Sequence, residues 1–304
     1  MQNRGAPPVS YAMLGGAQLA VGAAAIFARY ALSGAQPIAI AALRLCIASA
    51  VLVAIALFGK HSAQKATRRE RTLLGWAGLM LAIHFASWIW SLEYTTVAIS
   101  TLLVATTPLF TTLYDVLVLK RPVSPMVWVA YAAATAGLLL VVGFGGVAPP
   151  VPGHALLGDG LALAGSIAIG AYFTIVREVR SALSTRTIVS HTYLWAAAVL
   201  VIAALIARQP PPPLAATGAW LAILALAFVS QLLGHTALNA SLRFFSPSAI
   251  ATATLLEPVF AALLAAALFA ERVSTLTFAG GLLLLASIGI VLRFDHSSMD
   301  QSIS

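Results

Sequence analysis

Glu257 and Pro258 stand side by side near the middle of the apolar run ATATLLEPVFAALLAAALF, residues 251–269. A carboxylate in that setting can accept an ammonium or a proton. The proline lacks an N–H, so the carbonyl of Thr254 loses its helical partner. Pro108 makes the same break in an earlier apolar run and frees the carbonyl of Val104, but Thr107 precedes it in place of an acid. Glu257 is therefore the member that the recurring kink does not explain, and it is the first choice of functional residue over a purely structural hydrogen bond. His84 joins it as a candidate for carrying a coupled proton.

Two further patterns place polar groups on apolar segments. Gln231, His235 and Asn239 fall at i, i+4 and i+8, and His84, Trp88 and Ser91 at i, i+4 and i+7, each one face of a helix. Polar residues inside membrane helices usually face the bundle interior or a wet cavity, so the two stripes predict opposing walls of one cavity. The plainer alternative is hydrogen bonding between helices. Thr107, Thr111 and Tyr114 have similar spacing, with Asp115 expected in a surface ion pair near Lys120 and Arg121. Ser166, Gly170 and Phe173 share a face with Tyr172 beside it, and Gly22 and Gly170 are expected at close helix contacts. Trp90 is expected as an interfacial anchor; His191 fits either a cavity or a cap. Arg44 lies too deep to snorkel, so it needs a partner or water: a structural pairing, a gate, or an attractor of a solute carboxylate.

The elements that must position these groups are membrane spans. The chain of 304 residues is 61% hydrophobic and 9% charged, with mean hydropathy +0.96. Soluble domains carry about 25% charged residues, so this chain cannot clothe a water-facing surface. Ten segments reach the roughly 20 apolar residues a span needs: 10–30, 36–58, 72–92, 95–118, 125–146, 155–177, 187–207, 216–241, 247–269 and 275–293. The first reads as a span and not as a cleaved signal peptide, because it has neither a strong basic leader nor a small-residue cleavage site. Lys60, Lys65, Arg68, Arg69 and Arg71 crowd the loop between spans 2 and 3, which the positive-inside rule places in the cytoplasm. With ten spans both termini are then cytoplasmic. Most remaining Lys and Arg fall on that side, leaving Arg29, Arg208 and Arg272 opposite.

Spans 1–2 and 6–7 align at an offset of 148, with LAVGA (19–23) over IAIGA (167–171) and AVLV (50–53) over AVLV (198–201). Spans 4 and 9 align at about 150, AIST and TPLF over AIAT and EPVF. Five spans per half is an odd number, so the second half, 148–304, enters from the side opposite to the first, 1–147. The expected fold is an all-α integral membrane protein of ten transmembrane helices, two inverted five-helix repeats around a central cavity. Inverted repeats about a midplane site are a recurring plan of secondary transporters.

The two five-span halves, the run LLEPVFAALLAAALFAERVS and the Arg within span 2 resemble the drug/metabolite transporter superfamily, in its EamA-type branch. Within that branch the chain is most similar to YddG-type amino-acid exporters, on length, single-chain form and an aromatic-rich third span. The resemblance implies export of amino acids across a bacterial-type inner membrane by alternating access, with spans 5 and 10 peripheral. One departure is plain: the acid that often closes the fourth helix of each half is present as Glu271 but replaced by Lys120-Arg121 in the first half.

Other classes lack their residues. There is no paired-aspartate, HExxH or Ser–His set for intramembrane catalysis, no histidine pair at metal-ligand spacing and no GxxxxGK[ST] for ATP. The lone Cys46 excludes an internal disulfide. No cofactor, metal or nucleic-acid partner is expected; the partners are the bilayer and a small solute. An efflux carrier for a nucleobase or cationic drug is the alternative.

Overall fold

The computed structural model describes residues 8–58, 64–117, 120, 124–144, 153–180, 182–241, 257, 268 and 274–300. Among them every regular element is helical. Span 1 is α1 (Pro8–Gly22) and α2 (Ala24–Leu32), and span 2 is α3 (Pro37–Phe58). Span 3 is α4 (Arg68–Tyr94), and span 4 is α5 (Val97–Val104) and α6 (Thr107–Leu117). Then come α7 (Pro125–Phe144), α8 (Ala155–Val179) and α9 (Thr185–Ile206). Span 8 is composite: α10 (Thr217–Ala225), a π-helical stretch (Leu226–His235) and α11 (Thr236–Ser241). The last helix is α12 (Thr275–Asp300). Seven of these units are long and apolar enough to cross a membrane: Val9–Leu32, Pro37–Phe58, Arg68–Tyr94, Val97–Tyr114, Ala155–Val179, Thr185–Ile206 and Thr217–Ser241. The ninth expected span lies outside the described residues except for Glu257 and Leu268. Its neighbour α12 runs past the expected end at residue 293.

Local chemistry sets several helix starts. Thr67 caps α4 in a reciprocal box: the Glu70 N–H donates to the Thr67 hydroxyl at 3.3 Å, and the Thr67 N–H to the Glu70 carboxylate at 2.7 Å. Thr96 and Ser184 accept from the N–H groups of Ile99 and Thr187 to start α5 and α9. In the bundle centre α4 packs mainly on α8 and α9. The α9 contact depends on Gly78, where a Cβ would collide with the Trp195 Cβ and lie 3.0 Å from the Thr192 carbonyl oxygen. Helices α7 and α12 pack chiefly on each other and reach the rest through α5 and α6.

Cross-links sort the helix ends into two groups. At one end Arg69 pairs with Glu178 at 3.4 Å, the Gln64 amide oxygen accepts from the Ser184 N–H, and Arg186 donates to the Ile55 carbonyl. At the other, Arg29 donates to the Leu92 carbonyl at 2.6 Å, Gln209 accepts from the Ile38 N–H at 2.8 Å, and Tyr94 stacks on His154. The basic loop between α3 and α4 is thus at the first end, and Arg29 and Arg208 are at the second.

Candidate functional site

Among the described residues three spans depart from a regular α-helix, and all three departures border one cavity. Span 1 is only perturbed at Ala23, between α1 and α2: its dihedrals stay helical, and its N–H and carbonyl keep their bonds to Leu19 and Phe27. Span 4 breaks at Ala105–Thr106, just before Pro108. Here the freed carbonyl of Val104 is taken up by hydroxyls: Thr107 Oγ1 donates to it at 2.7 Å and Ser166 Oγ of α8 at 3.1 Å. The two hydroxyls lie 3.0 Å apart, and Thr106 Oγ1 is 3.2 Å from Ser166. A proline break in a membrane helix is tolerated where such groups re-satisfy the backbone.

Span 8 loses α-geometry without a proline. Its π-helical turn carries the Thr236 N–H to the carbonyl of Gln231, five residues back. This stretch lies tight against α1: Ser230 Oγ donates to the Ala20 carbonyl at 2.9 Å, and a Cβ at Gly234 would come 2.7 Å from Val21 Cγ2. π-Helical turns inside α-helices are frequent at functional sites.

The cavity between these departures has a volume of about 160 Å³ and is walled mainly by apolar side chains, with polar groups from α4, α5, α6, the π stretch and Glu257. An engineered cavity of about 150 Å³ holds benzene, so there is room for one small ring or a branched side chain. From α4 come His84, Phe85 and Trp88. His84 and Trp88 stack at 6.2 Å with 3° between their planes. His84 Nδ1 is 2.9 Å from the Gly165 carbonyl, which can only accept, so that nitrogen carries the hydrogen and Nε2 is the acceptor of the neutral ring. His235 faces the Phe85 ring edge-on at 5.4 Å and 86°.

Of the residues singled out by sequence, His84, Trp88, Thr107, Thr111, His235 and Glu257 line the cavity, as do Gly22 and Pro108. Five others do not. Ser91 is fully buried and bonded to the Trp88 carbonyl and, at 2.7 Å, to Ser100. Tyr114 lies beyond the last lining residue of α6 and is 39% exposed. Tyr172 is buried beside Thr192 and Asn239, without hydrogen-bond geometry to either. Gln231 turns towards α3, and Asn239 Nδ2 donates to the His235 carbonyl of its own span. The stripe on span 8 is therefore not one cavity face, because the π stretch changes the angle between successive residues. Gly170 serves packing: a Cβ there would lie 3.2 Å from Thr111 Cγ2. His191 donates from Nδ1 to the Thr187 carbonyl of its own helix. Pro258 and the Asp115 side chain lie outside the described residues.

Arg44 is fully buried, and its Nε donates to Gln231 Oε1 at 2.8 Å. Its Cζ sits 4.1 Å from the centroid of the Phe85 ring, a cation–π contact. Phe85 thus touches Arg44 and also lines the cavity. Sequence reasoning missed Phe85, although it is adjacent to His84 and three residues before Trp88, positions that share a broad helix face.

No curated protein sequence matches the chain. One solved crystal structure superposes with a TM-score of 0.65 at 17% identity, covering 95% of this chain and 98% of that one, which is a likeness of fold alone. The EamA-like transporter family matches twice, over residues 9–143 and 156–293. Together the two matches take in nearly the whole chain, cavity-lining helices included, and the chain belongs to the EamA-like transporter family.

Proposed function

We propose that the protein is a secondary carrier that exports amino acids or closely related small solutes across a bacterial-type inner membrane by alternating access. The observation that carries the reading is the cavity itself: a carboxylate (Glu257), two imidazoles and three aromatic rings converge where spans 4 and 8 lose regular α-geometry and span 1 is perturbed. Broken helices present free backbone groups and end dipoles to a solute, as transporter sites at the midplane do. Glu257 and freed carbonyls suit an ammonium, and the Trp88, Phe85 and Phe173 wall suits an apolar side chain.

In this reading the molecule is ten spans in two inverted halves, 1–147 and 148–304, with both termini cytoplasmic and α7 and α12 peripheral. The double family match supports two homologous halves. The grouping of the basic loop with residues 178–186 at one end of the bundle supports the topology. Rocking one half against the other exchanges access to the cavity. Glu257 and His84 are the residues to carry a proton if transport is coupled to one.

Counterflow of radiolabelled L-phenylalanine and other amino acids in proteoliposomes tests the reading. Saturable counterflow is expected, and its absence with every amino acid would overturn it. A second reading, efflux of cationic drugs, is favoured by the single acid in an aromatic wall; competition by lipophilic cations alone would select it.

A further inference from the structure

The Arg44 guanidinium is buried with most of its hydrogen-bonding capacity unused. Gln231 occupies Nε, while Nη1 and Nη2 have no hydrogen-bond partner among the described residues. The ion pair Arg69–Glu178 is elsewhere. A buried cation whose donors are unpaired is among the more unfavourable arrangements a protein holds. A purely structural arginine would be expected to use those amino groups. The Gln231 bond fixes the plane of the group and leaves the Nη1–Nη2 edge open, the edge that grips a carboxylate through two parallel hydrogen bonds. Contact with the Phe85 ring gives the cation interim compensation. That ring forms part of the cavity wall, and His235 packs edge-on against it from the span that also supplies Gln231.

We propose that Arg44 is a sequestered carboxylate-binding group and Phe85 its gate. When the Phe85 ring turns away, the Nη1 and Nη2 groups open to the cavity and bind the carboxylate of the transported solute. When the ring returns, the anion is displaced and the cation–π contact re-forms. The substrate class is accordingly a small organic acid or zwitterion, with Glu257 left for a positive end where one exists. This rests on the cavity being the solute site, but not on the solute being an amino acid.

The test uses the full-length protein in lipid nanodiscs, read by tryptophan fluorescence, since Trp88 is on the cavity wall. The probes are 3-phenylpropanoate and its neutral amide, equal in shape and different in charge. The wild type is expected to prefer the carboxylate by roughly tenfold, one charged hydrogen-bonded contact's worth. Phe85→Ala removes the gate and is expected to tighten the carboxylate by about a further thirtyfold, the size of a desolvated cation–π contact, with the amide little changed. Arg44→Gln is expected to abolish the preference. Should that variant fail to fold, the Phe85→Ala comparison decides alone. Equal binding of the two probes, or binding of neither, by wild type and Phe85→Ala would overturn the proposal. Carboxylate preference together with absent amino-acid counterflow would overturn only the amino-acid reading.

Discussion

The two walls that carry the paired histidines, α4 and span 8, have similar polar spacing and opposite outcomes. On α4 the helix stays regular from Arg68 to Tyr94, and residues four apart do share a face: His84 and Trp88 stack and both line the cavity. On span 8 the same spacing crosses a π-helical stretch, and its members take three different jobs. Gln231 holds Arg44, His235 lines the cavity, and Asn239 bonds within its own span. A spacing rule holds only as long as the turn it assumes. The π stretch lets one short segment serve both the cavity and the buried cation behind it.

The largest expected effect probes how rigidly each wall is held. Gly78 fixes α4 against backbone of α9, with the Thr192 carbonyl oxygen and the Ala196 nitrogen 3.0 and 3.2 Å from a Cβ added there. Gly234 meets the Val21 side chain first, Cγ2 at 2.7 Å, and backbone only at 3.3 Å, the Val21 nitrogen. Gly78→Ala should therefore destabilise by about 3 kcal/mol and Gly234→Ala by about 1 kcal/mol, the two ends of the overpacking range. Thermal unfolding in nanodiscs checks this, and equal losses would mean that the walls are equally yielding.

Next in size is the division of labour within span 8. Gln231→Met keeps the volume but leaves the Arg44 Nε without its acceptor, so a loss of about 2 kcal/mol is expected. Asn239→Leu gives up only a contact to the carbonyl of its own span, worth about 1 kcal/mol or less. If the two lose equal stability, they form one polar stripe after all.

These variants also mark what the sequence made legible. Span positions were readable because about 20 apolar residues between charged or proline-rich separators admit few other structures: 36–58 became Pro37–Phe58, and 216–241 became Thr217–Ser241. The break at Pro108 was readable because its cause, a missing N–H, is a property of one residue. The departures at Ala23 and Leu226–His235 have no such residue. They lie where α1 and span 8 press together through Gly234 and Ser230, and a contact between residues about 210 apart leaves no local signal. The Arg44–Gln231 bond was hidden for the same reason, since each residue alone shows only a polar group that needs something.

Solute recognition should follow the cavity wall and not the stripe. His84→Leu and His235→Leu are each expected to raise the apparent KM in phenylalanine counterflow roughly tenfold, the loss of one polar contact. Ser91→Ala removes a hydroxyl bonded to Trp88 and Ser100 away from the cavity, and should stay within about twofold on the same scale. A Ser91 effect as large as that of His84 would restore the reading of three equivalent stripe residues.

The smallest effects concern the proline break in span 4, and they distinguish a buffered interruption from an unbuffered one. The Val104 carbonyl has two donors, Thr107 Oγ1 at 2.7 Å and Ser166 Oγ at 3.1 Å. Thr107→Val leaves the Ser166 donor in place, and Ser166→Ala leaves Thr107, so each should cost about 0.6 kcal/mol, an average membrane side-chain hydrogen bond. The double variant strands the carbonyl that Pro108 released, at about 2 kcal/mol, so the cycle should show about 1 kcal/mol of coupling. Simple additivity in unfolding measurements would mean that water or the chain reaches Val104 once the hydroxyls are gone. Coupling would mean that two hydroxyls 59 residues apart jointly hold the break open, so that the proposed rocking would have to keep or replace the contact to α8.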